Sequence, residues 1–241
     1  MTASARHSPR LVLFDVDGTL VETGGAGRIA FVEVFEAMFP GDGFEDAVAG
    51  VRFQGKTDPV IIDEITRSAG VSARFSTRRD EFWSRYVATL VEVLRRPGLR
   101  RRALPGVVAM LEDLEGRAGV YLGLQTGNVE AGARAKLEAI GLGRFFPEGG
   151  FASDHWDRRE LVRMARDKLA RRHGIPFPAE STVVVGDTEH DVACARANGF
   201  RAVAVDSGWV PRDELEAARP DAILDDFTDL AAVRAALLDG V

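Results

Sequence analysis

The chain is poor in cysteine. Cys194 is the single one among 241 residues, so no internal disulfide and no multi-cysteine metal site can form, and a reducing compartment fits. Its neighbours in Asp191-Val192-Ala193-Cys194-Ala195 are mostly small, which reads as a buried apolar position. Long apolar runs are also missing: none approaches the roughly 20 residues of a membrane span. The first nine residues are polar, contain Pro9 and lack the apolar core of a secretory signal. Positive charge is in deficit, with 31 Lys+Arg against 37 Asp+Glu and a net charge of −6. That argues against nucleic acid or an anionic membrane as partner. No internal repeat and no low-complexity tract interrupts the chain. What remains is an ordinary globular composition, 46% hydrophobic and 28% charged, long enough for one full domain and a smaller one. A cytoplasmic protein with a flexible tail over residues 1–9 is expected.

Short apolar runs at 10–14, 120–125, 182–186, 201–205 and 221–224 read as buried strands. Helical patterns fall between the later ones, at 107–117, 130–140, 159–173, 188–198 and 228–238. This alternation predicts an α/β fold, a parallel sheet with helices on both faces and all strand carboxyl ends along one edge. Residues 22–103 break the alternation with helical patterns at 26–38, 58–69 and 79–95. A helical cap over 23–103 is expected, inserted after the first strand into a core of 10–22 and 104–241, with Gly24-Gly25 and Pro97-Gly98 as joints. The arginines Arg95-Arg96 and Arg100-Arg101-Arg102 read as a solvated charged surface, or as an electrostatic guide for an anionic substrate.

Leu11-Val12-Leu13-Phe14-Asp15-Val16-Asp17-Gly18-Thr19 carries most of the chemistry. Two carboxylates follow a buried strand, where open α/β sheets place their ligands. Like charges that close repel in a poorly solvated cleft unless a cation neutralises them or one is protonated. A second such run, Val183-Val184-Val185-Gly186-Asp187-Thr188-Glu189-His190-Asp191, puts Asp187 at a strand tip and Asp191 in the next helix's first turn. Four carboxylates at one sheet edge suit Mg²⁺, although acids also favour a helix N-terminus for structural reasons. Thr126, with Gly127 and Asn128, ends a strand just before a helix. A hydroxyl and backbone N–H groups there cradle phosphate oxygens, or simply cap the helix.

Asp15-Val-Asp17-Gly-Thr19, the Thr126 strand end and Gly186-Asp187…Asp191 have the order and spacing of the haloacid dehalogenase superfamily. The resemblance runs from about residue 10 to 238 and is most similar to the phosphoglycolate phosphatase-like branch. It implies a Rossmann-like core with a helical cap and a Mg²⁺-dependent phosphatase acting on a small phosphorylated metabolite. Asp15 would be the nucleophile and Asp17 the general acid and base. Thr126, Gly127 and Asn128 would bind phosphate oxygens. Asp15, Asp17 through its carbonyl, Asp187 and Asp191 would surround the metal.

The chain departs from the family in having no lysine before the helix that precedes Gly186-Asp187. Arg158, or else Arg159, is the stand-in, because a guanidinium can bind two phosphate oxygens. His155 and Trp156 read as loop packing, and His190 as a half-exposed helix residue. In the cap, Lys56 of Gln54-Gly55-Lys56-Thr57-Asp58 would bind an anionic substrate tail, or the loop is only a turn and helix cap. Dehalogenation is disfavoured because those relatives lack a second aspartate. Phosphosugar mutase, phosphonate hydrolase with Lys56 as the Schiff-base lysine, and a non-catalytic binding protein are the alternatives.

Overall fold

The central strand β1 (Arg10–Phe14) is buried along its whole length, as a parallel strand covered on both faces must be. It lies between β4 (Val120–Thr126) and β6 (Thr182–Gly186), parallel to both. With β5 (Gly149–Phe151), β7 (Arg201–Val205) and β8 (Ala222–Leu224) the sheet runs β5-β4-β1-β6-β7-β8. The chain thus leaves β1 toward one side and later fills the other, which opens a crevice at the strands' carboxyl ends. This computed structural model describes residues 9–239; apart from Pro9, the expected tail lies outside them.

Alternate residues of each strand face opposite layers. Val12, Phe14, Val183 and Val185 pack with α6 (Val107–Glu115), α7 (Glu130–Glu138) and α11 (Leu230–Leu238). Leu11, Leu13 and Val184 pack with α8 (Arg158–His173) and α9 (Glu189–Ala197). The short α10 (Arg212–Ala217) covers the far edge through Leu215.

Residues 26–95 form five helices, α1 (Ala26–Met38), α2 (Phe44–Ala49), α3 (Asp58–Ser68), α4 (Ser72–Ser76) and α5 (Arg79–Arg95). They enclose their own core of stacked rings, with Phe31–Tyr86 centroids 4.4 Å apart and Phe35–Phe44 4.6 Å. Val129 and Ala152 of the sheet layer join that core. A two-stranded antiparallel ribbon, β2 (Val21–Glu22) with β3 (Arg102–Ala103), ties the ends of the insertion together. The arginine run lies beside it as exposed surface: Arg100 and Arg102 pair with Glu22, and Arg96 with Glu33. No helix among the described residues is long and apolar enough to cross a membrane.

Candidate active site

Asp15 extends the ladder past the end of β1. Its N–H donates to the Val185 carbonyl at 2.9 Å, which fixes the carboxylate at the sheet's edge, 5% exposed. Arg158, the first residue of α8, brings its guanidinium to 2.8 Å from Asp15. Burial pushes the Asp15 pKa up to about 6, against the pull of that guanidinium. The loop then turns at Gly18, with φ at +78°, where a Cβ would lie 2.2 Å from Asp187 Oδ2. Only glycine satisfies both the backbone angle and that approach.

Asp187 follows β6 and is also buried. Its Oδ1 accepts the Thr19 hydroxyl at 3.1 Å, while Oδ2 has no hydrogen-bond partner among the described residues. Burial, then the charges of Asp15 and Asp191, drives its pKa well above the usual carboxylate range. One oxygen each from Asp15, Asp187 and Asp191 lies within 4.8 Å of the others. An orphaned buried oxygen among like charges fits a divalent cation with oxygen ligands.

Asp191 is the most heavily bonded of the three. Its Oδ1 accepts from Arg158 at 2.5 Å and from Gln125 at 2.8 Å. Its Oδ2 accepts the Thr188 N–H and hydroxyl in a capping box that starts α9. It therefore both caps a helix and holds Arg158.

At the end of β4, the Thr126 hydroxyl oxygen accepts the Asn128 N–H at 3.3 Å and the Asn128 side-chain amide at 2.9 Å. Its own proton is left free to donate. The same amide donates to Asp17 Oδ2 at 2.8 Å. Lys136 on α7 then appears where no motif announced it. Its ammonium lies 2.5 Å from Asp17 Oδ2 and 2.6 Å from Asn128 Oδ1. The two aspartates that looked electrostatically awkward in sequence thus have separate cations, Arg158 for Asp15 and Lys136 for Asp17.

The helical insertion covers this edge through the loop before α3. Asp58 N–H donates to the Gly127 carbonyl at 2.7 Å, and Asp58 Oδ2 accepts the Val129 N–H at 2.8 Å. The Thr57 hydroxyl donates to the Trp156 carbonyl at 2.9 Å. A Cβ on Gly127 would sit 2.2 Å from the Lys56 carbonyl, so glycine permits this contact. Burial lifts the Asp58 pKa to about 7, with Lys136 opposing and Asp17 adding to the rise. A cavity of ≈ 220 Å³ remains between the helical insertion and the sheet edge, reached by Asp15, Asp17, Thr126, Lys136, Arg158 and Asp187. Phe31, Phe53, Ile61 and Tyr86 of the helical insertion form its apolar wall.

Two expected binding residues stand elsewhere or are otherwise engaged. Arg159 points away from the cavity, is exposed, and pairs with Asp157 at 2.7 Å, because adjacent residues near a helix start project about 100° apart. Lys56 borders the cavity, but its ammonium is 2.6 Å from Glu64. Lys168, the first lysine after the expected position, pairs with Asp154. Trp156 is 63% exposed, but its ring stacks on His155, whose Nδ1 accepts the Asp157 N–H, so the two pack within the loop. His190 is half-exposed and meets the helical insertion at Gly55. Lys136 and Asp58 are the residues that sequence reasoning missed. The available signal was a lysine on the inward stripe Gly132, Ala133, Lys136, Leu137 of α7.

Comparison with known proteins agrees with this geometry. The chain is 30% identical over 240 residues to the probable phosphatase IndB of Dickeya dadantii, covering 95% of this chain and 94% of that one. It is 27% identical over 243 residues to the phosphoglycolate phosphatase of Agrobacterium fabrum, covering 94% and 93%. The crystal structure of CbbY from Rhodobacter sphaeroides in complex with phosphate has the same fold, with a TM-score of 0.66 at 20% identity over 92% of this chain and 96% of that one. The family profile of haloacid dehalogenase-like hydrolases matches residues 12–196, and the chain belongs to that family.

Proposed function

We propose that this protein is a Mg²⁺-dependent phosphatase that hydrolyses a small phosphomonoester through a phosphorylated Asp15. The observation that carries this reading is the convergence on one cavity of buried Asp15, Asp17 with one oxygen free, and the Thr126 hydroxyl. The names of two relatives, a probable phosphatase and a phosphoglycolate phosphatase, support it.

An Asp15 carboxylate oxygen attacks phosphorus, and the ester P–O bond breaks as the new bond forms. Asp17 Oδ1, which takes no hydrogen bond among the described residues, delivers a proton to the departing oxygen. Water then attacks the phosphorus of the aspartyl phosphate, Asp17 takes a proton from it, and Asp15 and inorganic phosphate are released. Thr126 donates to one phosphoryl oxygen, with the Gly127 N–H beside it, while the Asn128 N–H supports the Thr126 hydroxyl instead. Arg158 holds Asp15 in place and offers positive charge to the transferring group.

Asp15, Asp187 and the Asp17 carbonyl would hold Mg²⁺, with Asp191 beside them keeping Arg158 in register. Bound there, the ion would neutralise the carboxylates and the phosphoryl charge. Residues 23–103 act as a cap domain on the core of 10–22 and 104–241, closing through Asp58 to exclude bulk water. A cavity of ≈ 220 Å³ suits a metabolite rather than a phosphoprotein or a nucleic acid. The single free cysteine, buried at Cys194, fits a cytoplasmic setting. Lys56, which phosphonate cleavage would use, is held by Glu64, and no observation favours that chemistry or a mutase.

The test is phosphate release from a panel of phosphoglycolate, sugar phosphates and nucleoside monophosphates, with Mg²⁺ and with EDTA. Release that needs Mg²⁺ is expected for at least one ester. Absence of release from every ester, or equal release in EDTA, would overturn the reading.

A further inference from the structure

We infer that Lys136 is a positioning residue for proton transfer: it locks the Asp17 carboxyl and the Asn128 amide in the orientation that the leaving-group step requires. The inference rests on the phosphatase reading above and concerns a residue outside the motifs that carry the family resemblance.

An ammonium carries three donors and no acceptor. One Lys136 donor goes to Asp17 Oδ2 and one to Asn128 Oδ1. Because Lys136 can only donate, the Asn128 carbonyl must face it. The Asn128 amino group is thereby turned toward Asp17 Oδ2 and Thr126 Oγ1. Two consequences follow for the chemistry. Asp17 is gripped at Oδ2 by two donors, so its other oxygen faces the cavity in one rotamer. Thr126 Oγ1 is filled as an acceptor, so its proton is directed elsewhere.

The surroundings show why a lysine is kept there. Its side chain is 6% exposed, and burying such a group is unfavourable unless it is paired. Gly132 and Ala133 are its neighbours on the buried stripe of α7, and a Cβ added to Gly27 of α1 would stand 3.6 Å from its ammonium. The cap therefore lies directly over the Lys136 ammonium. Asp58 adds a second carboxylate near enough to be influenced by its charge. A lysine serving only as structural ballast would not need the Asp17 and Asn128 oxygens together.

The test compares Lys136→Met with the wild type, both as full chains with Mg²⁺, on phenyl phosphate and 4-nitrophenyl phosphate. The two esters are similar in shape, but phenoxide needs a proton on leaving far more than 4-nitrophenoxide does. The ratio kcat/KM reports the steps up to transfer onto Asp15, so it isolates the leaving-group step. General acid catalysis contributes roughly 10²–10⁴-fold, so kcat/KM should fall about 100-fold on phenyl phosphate and under about 5-fold on 4-nitrophenyl phosphate. Lys136→Gln, which keeps a donor, should recover part of the phenyl phosphate loss. It also carries the comparison if the methionine variant does not fold. An equal fall on both esters, or no fall on either, overturns the inference while leaving the phosphatase reading intact. A wild type that hydrolyses neither these two esters nor any ester of the metabolite panel overturns both.

Discussion

Arg158 and Asp191 meet at 2.5 Å across 33 residues of sequence, and the same guanidinium nitrogen lies 2.8 Å from Asp15. One buried cation thus joins the proposed nucleophile to the N-terminal turn of α9. Removing one partner of such a pair leaves an uncompensated buried charge and costs about 3–5 kcal/mol. Arg158→Ala should therefore lower stability by that order in urea unfolding and abolish most phosphate release. Arg159→Ala, which loses only an exposed contact with Asp157, should unfold and turn over like the wild type. The reverse ranking would move the role to Arg159.

The orphaned Oδ2 of Asp187 makes a prediction that does not depend on turnover. In metal-free buffer, Asp187→Asn removes the cost of burying an ionisable carboxyl beside Asp15 and Asp191 and should melt no lower than the wild type. A cation at 100 times its Kd stabilises the native state by about 2.7 kcal/mol, which is several degrees for a chain of this size. Mg²⁺ should raise the wild-type Tm by that order and leave the variant's unchanged. An equal Mg²⁺ shift in both proteins would remove Asp187 from the cation site.

Asp58 gives the protein a pH dependence of defined sign. Its folded pKa is about 7, against about 3.9 in an unfolded chain. Between those values the folded state holds a proton that the unfolded state has released. Its contribution to stability is fully present below about pH 4 and is lost as pH rises through 7. Asp58→Asn keeps a neutral side chain at every pH. Its melting temperature relative to wild type should therefore climb between pH 5 and pH 8 in thermal scans. A constant difference would mean that Asp58 is ionised throughout.

Asp15, Asp17 and Asp187 were legible in sequence because each sits just past an apolar strand, and strand tips line one edge. Arg158 was legible only through the family resemblance, which calls for a cation near that helix start, and it was preferred to Arg159 because it lies nearer the start. Lys136 was not, because a lysine in a helix ordinarily reads as solvent-facing. Its burial depends on Asp17, 119 residues away. Asp58 reads as part of its own helix start, yet its carboxylate accepts an N–H 71 residues away, and local rules cannot see such a contact. The edge strand β5 escaped notice because two of its three residues are glycine, which give neither an apolar run nor alternation. The ribbon of β2 and β3, two residues per strand, is too short to leave a pattern.

The most direct test of the central claim is turnover by Asp15→Asn with 4-nitrophenyl phosphate at saturating Mg²⁺. Asparagine preserves the shape at the tip of β1 but cannot form the acyl phosphate. Losing a covalent nucleophile typically costs many powers of ten, so the account predicts a kcat below about 10⁻³ of wild type in a variant whose melting curve shows a folded protein. Turnover within tenfold of wild type would contradict it.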